Sequence, residues 1–301
     1  MKNDAVLGID IGGSKVRMAP VFSGGVLGKR ITFPVHPGVK PARLAALIGK
    51  ESEKLKAEVR FTAAGAGCPG HVSNDRRSLL WAPNLGWKNI AFAELLENEL
   101  SMPVLLENDV NSAAVGEHRC GAGVGARHVV CIFVGTGVGG GIISDGNLVR
   151  GATGNGAEVG HLLFKPGGKL CSCGRRGCVE AYAAGSQIPA RYAEEGGASG
   201  LNASEIWQKA RRGEDIAARV VDTAVEALAS LIVNLQTLFD SEKIILGGGV
   251  LEHSKDLYGR LKKAAGSYFT GAWKSEMKIA RSRLGADAGV LGAAALAQDL
   301  R

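Results

Sequence analysis

No apolar stretch in this chain is long enough to cross a bilayer. The longest, Val129–Val134, has six residues, against the roughly 20 that a spanning helix needs. The opening MKNDAVLGIDIGG has no extended apolar core of the kind a secretory leader carries, so a cytoplasmic location with no membrane partner is expected. The chain also has no block of lysine or arginine, although its net charge is +7. Scattered basic residues predict a surface that tolerates anionic nucleotides, with no nucleic-acid partner. No Pro/Ser-rich linker divides the chain, and 301 residues suffice for a large core, so two lobes hinged around helices are expected. Two phosphate-binding patterns are missing as well. There is no Gly-Lys-Ser/Thr Walker ending, and the dinucleotide fingerprint fits poorly because the first two glycine clusters lead into strands.

Glycine, by contrast, is abundant. The 44 glycines are about twice the usual share of roughly 7%, and they gather at predicted turns, which suggests loops that bind through their backbone. Three clusters follow predicted strands: Gly12 and Gly13 after strand 5–11, the turn 135–141 after strand 128–134, and Gly247, Gly248 and Gly249 after strand 243–246. Without a Cβ, backbone N–H groups can approach phosphate oxygens closely. Any one cluster reads more readily as ordinary turn glycine; three in the same position relative to a strand are a stronger signal. Asp10, Ser14 and Lys15 flank the first cluster and Thr136 lies in the second. Asp10 suits Mg²⁺, which prefers a carboxylate together with phosphates and waters, and Thr136 can donate a hydroxyl to a phosphate.

The richest stretch is EVGHLLFKPGGKLCSCGRRGCVE, 158–180, where Cys171, Cys173 and Cys178 stand near His161. Three thiolates and an imidazole form a closed tetrahedral set for structural zinc. The alternative is a disulfide pair with an odd thiol left over, which fits an intracellular chain less well. Within CSCGRRGC, 171–178, Arg175 and Arg176 are the only charges and no aromatic residue accompanies them, which argues against base stacking. Cys68, Cys120 and Cys131 are isolated in sequence and read as buried small hydrophobes. Glu158 lies one helical turn before His161 and Glu180 follows Cys178 by two. A metal held between them would pin both carboxylates as grips for ligand hydroxyls; the alternative is solvated surface charge. In ENDVNSAA, Asp109 follows a strand at 104–107 and begins a helix. It reads either as an N-cap or as the base that takes a hydroxyl proton in phosphoryl transfer, with Asn108 beside it to bind a neighbouring hydroxyl.

The remaining elements follow from periodicity. Strands are expected over 16–22, 26–35, 60–66 and 277–280, and helices over 41–56, 90–100, 204–212, 215–239, 254–265 and 287–300. The segment 71–89 is expected to be irregular around Pro83-Asn84-Leu85-Gly86. Two hairpins, one opening each half, predict a duplicated fold.

At these residues the chain resembles the ROK family of repressors, open reading frames and sugar kinases, over nearly its whole length. DIGGSK at 10–15 is similar to the family's first phosphate loop, GTGVGGG to its second and GGGV at 247–250 to its adenosine loop. EVGH with CSCGRRGCVE is similar to its joint sugar and zinc signature. Ser14 stands where threonine is common, and His71 follows the Pro-Gly of 69–70. The resemblance implies a two-lobed α/β, actin-like (ribonuclease H-like) fold with duplicated mixed sheets and an interlobe cleft. It implies lobes over 1–108, completed by a helix at 288–301, and over 109–287, with a zinc knuckle at 161–178. It makes Asp109 the general base, and Glu158, His161 and Glu180 sugar ligands together with Gly70, Asn84 and Asn108. It makes Asp10, Gly12, Gly13, Ser14, Lys15, Gly135, Thr136, Gly137 and Gly247 to Gly249 the nucleotide site, with His161, Cys171, Cys173 and Cys178 on zinc. APNLGWKN and VLLENDVNSAAVGE look most like the glucokinase branch. The implied activity is ATP- and Mg²⁺-dependent phosphorylation of a hexose, glucose first, in a homodimer. N-acetylmannosamine or another hexose is the alternative substrate, and a catalytically silent sugar-binding regulator the alternative class. Family repressors carry a DNA-binding domain ahead of the kinase-like body; with DIGG beginning at residue 10, none is expected here.

Overall fold

Strand β1 (Asn3–Ile11) is buried without a break from Ala5 to Ile9, the pattern of a strand covered on both faces. The computed structural model describes residues 3–36, 38–56, 59–254, 256–269 and 278–298. In it, β1 turns at Gly12 and Gly13 into antiparallel β2 (Lys15–Phe22), with Asp10 opposite Arg17. The single strand expected over 26–35 is two, β3 (Val26–Leu27) and β4 (Ile31–Pro34), each paired with a different part of β2. The break falls beside Pro20, whose nitrogen cannot donate to a ladder, although its carbonyl accepts the Gly28 N–H at 2.8 Å. Helix α1 (Pro41–Glu53) starts on proline, whose fixed φ suits a first turn, and buries Leu44 and Ile48. Strand β5 (Val59–Cys68) then runs parallel to β1.

The stretch expected to be irregular holds a small antiparallel sheet of β6 (His71–Val72), β7 (Leu79–Ala82) and β8 (Trp87–Ile90). Strands this short show too little alternation to be seen in sequence. Pro83–Leu85 is the expected tight turn between β7 and β8. Helix α2 (Phe92–Leu100) starts later than the expected residue 90, because Ile90 belongs to β8. Strand β9 (Val104–Asn108) lies parallel to β5 and runs straight into α3 (Asp109–Cys120).

The second half repeats the plan. Strands β10 (Val129–Val134) and β11 (Val138–Ser144) form the hairpin, and β12 (Asn147–Leu148) extends it. After α4 (Glu180–Ala183), α5 (Gln187–Glu194), α6 (Ala203–Arg211) and the long α7 (Asp215–Phe239) comes β13 (Lys243–Gly247). Then follow α8 (Gly249–His253), α9 (Leu257–Gly266), β14 (Ile279–Arg281) and α10 (Ala288–Ala297). The helix expected over 254–265 thus begins at Leu257. Residue 277 of the expected strand and residues 299 and 300 of the expected last helix lie outside the described residues. The two large sheets run β3-β2-β1-β5-β9 and β12-β11-β10-β13-β14. Along these paths each has two antiparallel pairings followed by two parallel ones, with β4 added antiparallel to β2 in the first sheet, so the expected duplication is present.

Helix α10 has no polar stripe: eight of its residues are buried. It packs on β1 and β5 and along α3. A Cβ at Gly8 or Gly65 would overlap the carbonyl oxygen of Val290 or Ala293, and one at Gly292 would overlap that of Ser112. Backbone therefore lies against backbone here. Similarly, GTGVGGG was expected to be a turn throughout, but the turn ends at Gly137. Gly139 and Gly141 belong to β11, where a Cβ would run into Val110 and Ala114 of α3. Part of the glycine excess expected to build binding loops instead lets α3 and α10 lie close to the sheets.

Candidate active site

The junction of β9 and α3 settles which residue caps the helix. Asn108 does: its Oδ1 accepts the N–H groups of Val110 at 2.9 Å and Asn111 at 3.0 Å. Its Nδ2 donates to the Gly70 carbonyl at 3.1 Å. Both lone pairs of the amide oxygen are thus used, and one N–H of the amide remains to offer a ligand. Gly70 has φ 125°, and a Cβ there would overlap the Trp81 carbonyl oxygen, so the position requires glycine. Asp109, relieved of capping, is the first helical residue, with Oδ1 accepting the Val110 N–H at 3.0 Å. Burial first, then the negative charge of Asp10, push its carboxyl up to about 7, with Glu158 adding to the rise. A carboxyl of that pKa is poised to take a proton near neutral pH.

Asp10 ends β1 on the same side. Burial raises its pKa, and Arg17, whose guanidinium donates to it at 3.0 Å, pulls it back down. On balance its pKa stays raised, and a buried carboxylate beside a glycine turn fits a divalent cation with phosphate ligands. Gly13 and Asn84 are close: a Cβ on Gly13 would lie 3.9 Å from Asn84 Cβ, so the first glycine turn meets the exposed Asn84 turn. Lys15, Arg17, Gly135, Thr136, Ser186 and Gly249 line an open cleft of 970 Å³. The second turn is fastened from behind, where Gly185 N–H donates to the Gly135 carbonyl at 2.8 Å and Ser186 Oγ to the Thr136 carbonyl at 2.7 Å. Gly248, at φ 94°, packs on Val134 backbone with no room for a Cβ. Lys15 beside the first glycine cluster, Gly135 and Thr136 of the second and Gly249 of the third thus meet in one cleft. Gly12, Gly13, Gly137, Gly247 and Gly248 do not line it, whereas Ser186, which the sequence did not flag, does.

The knuckle folds as a compact unit. Glu158 is followed by a single 3₁₀ turn, Val159–His161, which carries the expected one-turn spacing between Glu158 and His161. His161 Nδ1 lies 3.6 Å from Cys171 Sγ, and Cys173 Sγ lies 3.6 Å from Cys178 Sγ. All four donor atoms fall within 4.8 Å of one another. Tetrahedral metal–sulfur bonds of about 2.3 Å would separate donors by about 3.8 Å, so the set could hold such an ion. Glu180 is not a free surface charge. Its Oε2 accepts the Val138 N–H at 3.0 Å, and its Oε1 accepts Ser172 Oγ at 3.2 Å and lies 3.8 Å from Cys171 Sγ. It therefore ties the knuckle to the second glycine turn.

Sequence reading missed the polar strap that joins the 71–76 and 150–155 loops. His71 Nε2 lies 2.7 Å from the Thr153 carbonyl and Nδ1 lies 3.2 Å from Asn155 Nδ2. Since a carbonyl only accepts, the proton belongs on Nε2. Asn74 Nδ2 donates to the Ala152 carbonyl at 2.5 Å. Glu107, only 1% exposed, pairs with Arg150 at 2.9 Å and Arg76 at 3.5 Å. A carboxylate at the end of an otherwise apolar strand was the available signal for it; the partners were not legible.

Comparison with known proteins accords with this geometry. The chain is 32% identical over 312 residues to a glucokinase of Streptomyces coelicolor, covering 97% of each. It is 32% identical over 300 residues to an N-acetylmannosamine kinase of Citrobacter koseri, covering 98% of this chain and 99% of that one. The crystal structure of a ROK family glucokinase from Streptomyces griseus in complex with glucose and AMPPNP superposes with TM-score 0.84 at 31% identity, over 98% and 99% of the two chains. The model of the ROK family matches residues 6–300, and the chain belongs to that family.

Proposed function

We propose that this sugar kinase is an ATP- and Mg²⁺-dependent hexokinase that phosphorylates the 6-hydroxyl of glucose. The observation that carries the reading is Asp109: a carboxyl lifted to about 7 whose electrostatic neighbours are Asp10 on the phosphate side and Glu158 on the sugar side. Asp109 takes the proton from O6 as the oxygen attacks the γ-phosphorus, and the bond from that phosphorus to the bridging oxygen breaks. Glu158, His161, Glu180, Asn84, Asn108 and the Gly70 turn orient the sugar. Lys15, Thr136 and the backbone of the glycine turns receive the nucleotide. Asp10 is the carboxylate that would hold Mg²⁺, whose chemistry there is to neutralise charge on the transferred phosphate. Zinc on His161, Cys171, Cys173 and Cys178 is structural, and through His161 and Glu180 it orients the sugar site. The lobes are taken as 1–108 with the C-terminal helix, and 109–287, closing over the ligands to exclude water.

The Citrobacter relative supports a second reading, N-acetylmannosamine as the sugar, because its identity equals that of the Streptomyces glucokinase. Coupled ADP release across glucose, N-acetylmannosamine, N-acetylglucosamine, mannose, fructose and allose separates the two. Glucose is expected to give the highest kcat/KM. A preference for N-acetylmannosamine would replace the substrate and keep the mechanism. Glucose binding without any turnover would point to a silent regulator instead.

A further inference from the structure

Glu107 has no part in the reaction just described, yet it stands directly before Asn108 and Asp109 and is almost wholly buried. Its Oε1 accepts the Asn108 N–H at 2.9 Å and the Asn111 side-chain amide at 3.2 Å, both at the start of α3. Among the described residues its Oε2 accepts no hydrogen bond and is compensated by charge alone, from Arg150 Nε at 2.9 Å and Arg76 Nε at 3.5 Å. Arg150 comes from the other half of the duplicated fold, just after β12. Its two terminal nitrogens donate to the carbonyls of Asn74 and Ser73, each at 3.0 Å. Its own carbonyl accepts the Gly156 N–H at 2.7 Å, closing the loop that delivers Glu158. The pair therefore reaches the base-bearing end of α3 on one side and the sugar-side loop on the other. Removing a carboxylate from water is costly unless it is paired and hydrogen-bonded, so breaking the pair would release both segments.

We infer that the Glu107–Arg150 ion pair is a positioning device that sets the Asp109 end of α3 and the loop 150–161 in one fixed relation. Neither side chain touches the reacting atoms; each acts through the residues it holds. The inference deepens the kinase reading and, in its kinetic part, rests on it.

Glu107→Gln tests it. The amide oxygen can still accept the Asn108 N–H, but the Arg150 guanidinium loses its counter-charge. In hydrogen–deuterium exchange on the unliganded protein, 108–112 and 150–161 are both expected to exchange about tenfold faster or more. In kinetics, kcat is expected to fall by about 10²-fold, the cost of a small misplacement, with sugar KM raised and ATP KM held within about twofold. Should this variant fail to fold, Arg150→Lys replaces it. A lysine cannot reach Glu107 and both carbonyls at once, so the same joint loss of protection is expected. Faster exchange in only one segment, or unchanged sugar KM and kcat, would overturn the inference. The exchange arm needs no substrate: a wild-type protein without turnover would sink the kinase reading and leave exchange to decide this one.

Discussion

At the scale of single residues, Asp109 makes two opposed predictions. As the base it works ionised, so kcat/KM is expected to rise with pH through about 7 and level off above it, which a pH–rate profile checks. Asp109→Asn is expected to lower kcat by about 10²–10⁴-fold while sugar binding, read by calorimetry, persists. Its effect on stability has the other sign. The folded-state pKa lies above the ordinary 3.8, so the native protein binds this proton more tightly than the unfolded chain. Stability from this site is therefore present at low pH and lost as pH rises from about 4 to about 7. Denaturation at pH 8 is expected to find the asparagine variant more stable than the wild type, with the advantage gone near pH 4. His161 and the three cysteines were legible in sequence as one cluster because ligand chemistry travels with residue type and spacing, whereas spacing left Asp109 open between cap and base and only the family resemblance favoured the base. Arg150 was not legible, because an arginine after a short strand looks like any solvated cation until the fold brings Glu107 to it. Nor was the division of labour at 108–109, since either residue can cap a helix and only coordinates show which one does.

Among the elements, the knuckle and the α3–α10 seam make the sharpest predictions. Stripping zinc with a chelator is expected to weaken glucose affinity about 10–100-fold, because His161 and Glu180 would lose their fixed setting. Metal content followed by calorimetry tests this; a folded, zinc-free protein that binds and phosphorylates sugar normally would break the proposed coupling. Gly292→Ala drives a methyl into the Ser112 carbonyl and is expected to cost about 1–3 kcal/mol in urea denaturation, with little change in KM if the protein folds. The major strands and long helices could be read from the chain because each holds one periodicity for many residues. The little β6-β7-β8 sheet and the split of 26–35 could not, since a strand of two residues has no period and Pro20 acts on a neighbouring strand. Gly139 and Gly141 were misread as turn because glycine signals a loop and close helix packing by the same absence of a Cβ.

On the scale of the whole molecule, two sheets that share a five-strand path carry glycine turns at their strand ends, and the 71–74 and 150–155 loops are laced across the two halves. If glucose and a non-hydrolysable ATP analogue draw the lobes together, small-angle scattering is expected to show a smaller radius of gyration with both ligands than with neither. An unchanged radius would mean that water is excluded by some means other than closure. Helix α10 adds a consequence for synthesis. It covers β1, the first strand made, and β5 and α3, all finished long before residue 288 is joined to the chain. Until α10 clears the ribosome, the amino-terminal sheet shows an unprotected apolar face, while β10, β11 and β13 can already share a core with α7. The half translated first therefore waits for the last helix, and during that delay it is an expected client for chaperones.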